Sequence, residues 1–436
     1  MNEVYNGVRV AVADVSAFRR QALAWATAQQ AHEGGFVLFL DNNDIVYPND
    51  PFPNRLFVGA KRVISVSGPD AFQALRDAHL KNPSYLAGYF GYDLKNQLEA
   101  LESRNPDRIG FPDACFVEPE WVIDFAENEV SVQGDDADRV FRSIRDFIAA
   151  TITAVAPLRI QYRVSPDDYA ANVRRIQQHI LAGDVYELNY CIEFFAGNAC
   201  LDPLTTYWAI NDRSPMPFST FLKIDNRYVM GASPERFLRK QGRQLLSQPI
   251  KGTIRRGQTP AEDAQLRTQL LNSEKERAEN LMIVDLVRND LARSAQTGSV
   301  RVDELFGICG FAQVYQMVST VSATLREGMS WVDAVRNAFP MGSMTGAPKI
   351  RAMQLIDELE VSRRGMYSGA IGYVTPDGDF DFNVVIRSLF YNADSRYASF
   401  SVGSAITYDA DPMQEWDECL LKARAIREVL EHGLNR

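Results

Sequence analysis

Apolar and polar positions give the two parts of this chain different textures. Over residues 1–160, short apolar runs alternate with turn-rich segments: Val8–Val12, Phe36–Leu40, Val63–Val66, Leu86–Phe90 and Trp121–Phe125. The run Pro48-Asn-Asp-Pro-Phe-Pro-Asn54 reads as a loop, because proline removes backbone donors and restricts the residue before it. Helical spacing at Val140, Ile144 and Ile148 continues until Ala156-Pro157 breaks it. This stretch reads as α+β, without a catalytic constellation.

From residue 165 the pattern sharpens. Ser165-Pro166-Asp167-Asp168 is a cap-like opening, and Tyr169, Val173, Ile176 and Ile180 then form one apolar helix face that Gly183 ends. Strand-like runs fall at Tyr228–Ala232, Val318–Leu325, Gly369–Val374, Val384–Tyr391 and Ser399–Ile406. Helical runs fall at Ser273–Ala292, Ile350–Leu359 and Gln414–Leu430. Strands and helices mix without strict βαβ alternation, which predicts an α+β fold with large antiparallel sheets. The division expected is an N-terminal α+β region over 1–160 and a second domain over 165–436.

Composition narrows the function classes. Of 436 residues, 46% are hydrophobic and 23% charged, which excludes intrinsic disorder. The 46 basic and 56 acidic residues leave a net charge of −10 with no Lys/Arg cluster. Nucleic acid and anionic membranes are therefore poor partners, and small-molecule chemistry is expected. Leu305–Leu325 is uncharged, but its glutamines, serines, threonines and glycines make membrane insertion costly, so a buried turn plus strand is expected. Met1-Asn-Glu opens without the pattern of a secretory signal. Five scattered cysteines without C-x-x-C spacing suit a reducing compartment and no structural zinc. A cytoplasmic protein is the expectation.

Several segments carry candidate chemistry. Glu276 and Glu279 lie three apart, as do Glu415 and Glu418, so each pair shares a helix face. All-oxygen ligands suit a hard ion, Mg²⁺ before others. The plainer reading is a solvated helix face. Lys422, four residues after Glu418, is placed to pair with it or with a substrate anion. Gly342-Ser-Met-Thr-Gly346-Ala-Pro348-Lys349 precedes a helical pattern, so it is either an anion-receptive helix N-terminus or an ordinary helix start. It is not a P-loop, because three residues separate the glycines and Ile350 stands where Ser/Thr is required. In Gln248-Pro-Ile-Lys251-Gly-Thr, a lysine kept from water would serve as a nucleophile, its pKa lowered from about 10.4 by desolvation. Reaching about 7.5 takes roughly 4 kcal/mol, and an ordinary exposed lysine is the simpler reading. Glu235 follows a strand-like run, and Arg387 interrupts an apolar one and so needs a structural or substrate carboxylate. Gly307-Ile-Cys309-Gly310 lacks a histidine base and is set aside as a nucleophile turn.

Taken in order, these segments resemble the chorismate-utilising enzymes, on their aminodeoxychorismate-forming side. The resemblance runs through most of 166–436. It includes Gly183-Asp-Val-Tyr, Ala232-Ser-Pro-Glu, Pro249-Ile-Lys-Gly-Thr, Arg277-Ala-Glu-Asn, Asp285-Leu-Val-Arg-Asn-Asp, Gly342 through Lys349, Arg364-Gly-Met-Tyr-Ser-Gly-Ala-Ile-Gly, Asp381-Phe-Asn-Val-Val-Ile-Arg and Glu415-Trp-Asp-Glu. Residues 1–160 look like the family's variable N-terminal part.

The resemblance implies a sandwich-like core flanked by helices, chorismate as substrate and Mg²⁺ as cofactor. It implies that Glu276, Glu279, Glu415 and Glu418 serve the metal. Arg387 and Tyr367 would hold the enolpyruvyl carboxylate, the turn at Thr345-Gly346 would line the same pocket, and Lys422 would lie near the ring carboxylate. Anthranilate-forming relatives carry alanine where this chain has Lys251. Where lysine is present it attacks C2 as the C4 hydroxyl leaves, protonated by a glutamate that matches Glu235. Ammonia then expels the lysine to give 4-amino-4-deoxychorismate, on the route to p-aminobenzoate and folate. Lysine must be neutral to attack, and hydroxide leaves poorly without an acid.

Three departures stand out: Glu187 where the family commonly has Gln, Gln316 where it has His, and Gly403-Ser-Ala-Ile406 in place of G-A-G-I. Glu187 adds negative charge near a dianion, so protonation or a cation such as ammonium is expected there. Ammonia is expected from a separate glutamine amidotransferase subunit, since no triad for it is present and no fused lyase follows. The alternatives are an anthranilate, isochorismate or salicylate synthase and, from another class, a non-catalytic binding protein.

Overall fold

In the computed structural model, which describes residues 7–68, 70–149 and 157–433, the five early apolar runs are strands: Gly7–Ala11, Phe36–Asp41, Arg62–Val66, Leu86–Phe90 and Trp121–Phe125. The later strand-like runs become Arg227–Ser233, Val314–Thr324, Ala370–Val374, Ser388–Asn392 and Tyr397–Ile406. The Pro-rich run at 48–54 is a loop. Ser165 caps the helix Pro166–Leu181, its side chain accepting from the Asp168 amide, and Gly183 follows the helix end at φ +81.

The described strands form two antiparallel sheets of 12 and 10 strands, as an α+β chain with large antiparallel sheets requires. In the first, Phe36–Asp41 pairs with Phe218–Ile224, and Tyr397–Ile406 pairs along its length with Glu187–Ala196. In the second, Leu86–Phe90 pairs with Ala370–Val374. Hydrogen bonds therefore join residues before 160 to residues after it in both sheets. The sheets face each other across one apolar core; Phe57 of the first meets Tyr373 of the second at a centroid distance of 5.8 Å. Phe36–Asp41 is buried throughout, which explains its continuous apolar run.

Three local expectations are corrected. The helix Ala137–Arg145 stops before Ile148, which is exposed, because Val140, Phe141 and Ile144 already complete its buried face. The expected break at Ala156-Pro157 lies partly outside the described residues. Leu305–Leu325 is not a buried turn plus strand. It is a hairpin whose first strand, Arg301–Gly310, is mostly exposed and whose second, Val314–Thr324, is buried. Val384–Tyr391 is not one strand: residues 384–387 are irregular between Phe380–Asn383 and Ser388–Asn392. Lys349 opens the helix Lys349–Leu359, and its charge is already engaged within the fold. Its ammonium donates to both Asp290 oxygens at 2.7 Å and to the Pro340 carbonyl at 2.8 Å.

A fully buried arginine ties the second sheet to the 48–54 loop. Arg236 donates from Nε and Nη2 to the two Asp381 oxygens at 2.9 Å, and from Nη1 to Gln248 Oε1 at 2.5 Å. Nη2 also reaches the Asp50 carbonyl at 2.6 Å. Losing the arginine would leave Asp381 as an uncompensated buried charge. Arg236→Met is expected to lower unfolding free energy by about 3–5 kcal/mol in urea titration, and a loss below about 1 kcal/mol would show that the network bears little of the fold.

Candidate active site

Between the sheets and the helices Glu274–Ala292 and Pro412–His432 lies a cavity of about 870 Å³, ample for a small-molecule ligand. It is lined by eleven of the fourteen residues singled out in the sequence: Glu235, Lys251, Glu276, Glu279, Gln316, Tyr367, Arg387, Gly403, Glu415, Glu418 and Lys422. Local sequence explains how they arrive there. Ser273 and Asp411 cap the two helices, which puts Glu276 and Glu415 in first turns, where the helix dipole favours anions.

Lys251 lies on the strand Ile250–Arg255, whose register against Val314–Thr324 slips between Ile250 and Thr253. Gly252 makes this approach possible. It sits at φ +91, and a Cβ there would come within 2.9 Å of Glu276 Oε2. Glu235 follows the strand Arg227–Ser233, as expected of a strand end, and its carbonyl accepts from the Val384 amide at 3.0 Å.

Glu235 is buried and accepts a hydrogen bond from Ser343 Oγ at 2.7 Å. Desolvation dominates over Ser343 and the Lys251 charge and pushes its carboxyl up to about 7. Near neutrality it can therefore hold or release a proton. Lys251 differs from expectation. Burial alone would lower its pKa, but its ammonium pairs with Glu187 Oε1 at 2.8 Å, and with Glu279 and Glu418 nearby its pKa is raised. It rests as a cation, not as a neutral amine, and the cation that Glu187 meets is Lys251 rather than ammonium.

One member of each acidic pair is withdrawn from solvent. Glu279 and Glu415 are buried, Lys275 lies 3.8 Å from one and 3.6 Å from the other, and Glu279 Oε1 has no hydrogen-bond partner. Burial raises the carboxyls of Glu276 and Glu415 and carries Glu279 to about 7. Glu418 stays low because Lys422 pairs with it at 2.5 Å. Among the described residues no three His, Cys, Asp or Glu side chains already converge on one point. The donor set nonetheless fits a hard divalent cation: oxygens only, one of them orphaned, with Lys275 as the nearby counter-charge.

Arg387 is not inside a strand. It occupies the irregular segment at φ +51, its carbonyl accepting from the Ala232 amide at 3.1 Å. Among the described residues its guanidinium has no hydrogen-bond or ion-pair partner, and desolvation lowers its pKa. A half-buried arginine with no such partner, lining the cavity beside Tyr367, is a ready carboxylate site. Lys422 donates to the Gly403 carbonyl at 2.8 Å, and Gln316 Oε1 has no partner.

The turn at 342–346 meets the cavity differently from expectation. Thr345 is fully buried, its hydroxyl directed at the Met341 and Gly342 carbonyls, while Ser343 and Met344 line the cavity. Gly346, at φ +151, packs where a Cβ would fall 2.2 Å from the Glu187 carbonyl. Arg364 fixes this turn, donating to the Met344 and Asn189 carbonyls at 2.6 and 2.9 Å and pairing with Glu360. Ser343 and Lys275 escaped the sequence reading. Lys275 was findable by its spacing of four from Glu279; Ser343 had no signal beyond its place in a singled-out turn.

With this geometry in view, the comparisons define the class. The family model for chorismate binding enzymes matches residues 41–428, and the chain belongs to that family. It is 41% identical over 367 residues to an aminodeoxychorismate synthase of Streptomyces griseus, covering 79% of this chain and 50% of that relative, so the chain spans half of that protein's length. It is 38% identical to aminodeoxychorismate synthase component 1 of Klebsiella aerogenes, covering 79% and 76% of the two chains. Among solved structures, anthranilate synthase component I from Streptococcus pneumoniae superposes with a TM-score of 0.78 at 26% identity, over 89% of this chain and 95% of that one.

The Glu235 carboxyl gives a stability test. Its value near 7 lies above the ordinary 4.5, so the fold favours the protonated form. That stabilisation is complete below pH 4.5 and is lost as pH rises through 7. Glu235→Gln, a neutral mimic, is expected to unfold at higher urea than the parent at pH 8, by up to about 3 kcal/mol, with the two converging below pH 4.5. Equal stability at both pH values would refute the raised carboxyl.

Proposed function

We propose that this chain aminates chorismate at C4 to give 4-amino-4-deoxychorismate, using ammonia delivered by a glutamine amidotransferase subunit, for p-aminobenzoate and folate synthesis. The observation that carries the reading is Lys251 inside the cavity, opposite a buried Glu235 whose carboxyl is poised near 7. The relatives named aminodeoxychorismate synthase, at 38% and 41% identity, support the same branch. Anthranilate synthase component 1 of Cereibacter sphaeroides, at 35%, represents a competing reading, and Lys251 stands against it.

In this reading Arg387 takes the enolpyruvyl carboxylate, with Tyr367 beside it. Glu235 gives its proton to the departing C4 hydroxyl. Lys251 Nζ bonds to C2 as the ring diene shifts from C1–C2 and C5–C6 to C1–C6 and C4–C5, and ammonia at C4 reverses that shift and expels the lysine. Mg²⁺ held by Glu276, Glu279, Glu415 and Glu418 would offset the charge of the ring carboxylate. No helix among the described residues is long and apolar enough to cross a membrane, and five unpaired cysteines suit the cytoplasm.

Incubation with chorismate, Mg²⁺ and ammonium, followed by product identification, is expected to yield 4-amino-4-deoxychorismate. Anthranilate would sink the assignment. Lys251→Ala is expected to lose at least about 100-fold in rate, and C4 amination at an unchanged rate would remove the covalent step. Calorimetric titration of Mg²⁺ with chorismate present should show binding that Glu279→Gln weakens at least about tenfold. Undiminished affinity in that variant would take Glu279 out of the metal site.

A further inference from the structure

Lys251 must lose a proton before Nζ can bond to carbon, yet it rests as an ammonium. Acids face it from several elements: Glu187 on the strand Glu187–Ala196, Glu276 and Glu279 on the helix Glu274–Ala292, Glu418 on the helix Pro412–His432, and Glu235 between strands. Among the described residues only Glu187 comes within ion-pair distance, at 2.8 Å. Glu187 is held firmly. Its strand neighbour Leu188 pairs with both Gly346 and Ile406, and its own position pairs with Ala347. Its side chain is 2% exposed and that of Lys251 11%, so bulk water is poorly placed to take the proton. The second carboxylate oxygen, Oε2, is buried and has no hydrogen-bond partner.

We infer that Glu187 is the general base of the reaction, accepting the Lys251 proton directly and returning it when the lysine departs. The inference rests on the reading of Lys251 as the attacking group. Proton transfer within the pair converts two buried charges into two neutral groups, which removes their desolvation cost when substrate closes off water. The orphaned oxygen has no donor among the described residues, so a proton can be placed on it without breaking a hydrogen bond.

The balance closes. Glu187 takes one proton from the ammonium, and neutral Nζ supplies its electron pair to C2. The C4–oxygen bond breaks, and Glu235 protonates the hydroxide to water. The secondary ammonium on C2 later leaves as a neutral amine while ammonia forms the C4–nitrogen bond. The protonated Glu187 then restores the Lys251 ammonium, and the product ammonium returns a proton to Glu235. A glutamine at this position keeps an oxygen acceptor for Nζ but takes no proton.

The test compares the parent with Glu187→Gln and Glu187→Asp on chorismate, Mg²⁺ and ammonium, reading kcat, KM and the pH profile. Glu187→Gln is expected to lose about 10²–10³-fold in kcat with KM for chorismate within threefold, and to regain about tenfold per pH unit as hydroxide replaces the missing base. Glu187→Asp should recover part of the loss with the parental profile, which a merely structural role would not distinguish. Without substrate, Lys251 in Glu187→Gln should undergo reductive methylation faster at pH 8 than in the parent, read by peptide mass spectrometry. A parent that aminates C4 while Glu187→Gln keeps its kcat and pH profile overturns this inference alone. A parent that fails to aminate C4 overturns both it and the proposed function.

Discussion

A single buried guanidinium organises the region on which the cavity is built. Arg236 has no exposure and binds a carboxylate, an amide and two main-chain carbonyls at once. Its neighbour in sequence is Glu235, so the same clamp that joins the strands Arg236–Gln241 and Phe380–Asn383 to the 48–54 loop also sets where that carboxyl stands. Arg364 performs the equivalent task on the other side, holding the 342–346 turn against the strand that carries Glu187. Buried charges of this kind add little net stability. Their directional bonds define one arrangement out of many that an apolar core alone would tolerate.

The cavity itself is a mixed-charge space. Lys251, Lys275, Arg387 and Lys422, with four further arginines, share its lining with six carboxylates inside a protein whose net charge is −10. That net charge argues against polyanionic partners, yet it is silent about the ligand, because local potential is set by the few charges within a few ångströms. Arg387 is the clearest case. Among the described residues it has no hydrogen-bond or ion-pair partner, which suits it to an anionic ligand.

Much of the architecture was readable as pattern. Burial on one or both faces imposes period 2 or 3.6 on the residues, and the early runs from Val8 to Phe125 became strands at nearly their expected bounds. The misreadings share one cause. Val384–Tyr391 and Ile148 have the right composition for an element, but hydrogen bonding to distant partners and the completion of a buried face decided otherwise. The family resemblance puts Thr345 at the pocket; in the structure the turn presents Ser343 and Met344 there.

By itself, the sequence determined the α+β class, the helix cap at Ser165 and the family, since these depend on local spacing and residue type. Only the tertiary structure decided which of the candidate residues meet and in what charge state. Lys251 is the case that shows why. Its surroundings predict a neutral amine if burial acts alone, but a carboxylate 64 positions away in sequence arrives 2.8 Å from its nitrogen and keeps it charged. Coulomb energy depends on distance in space, and no window of sequence contains that distance.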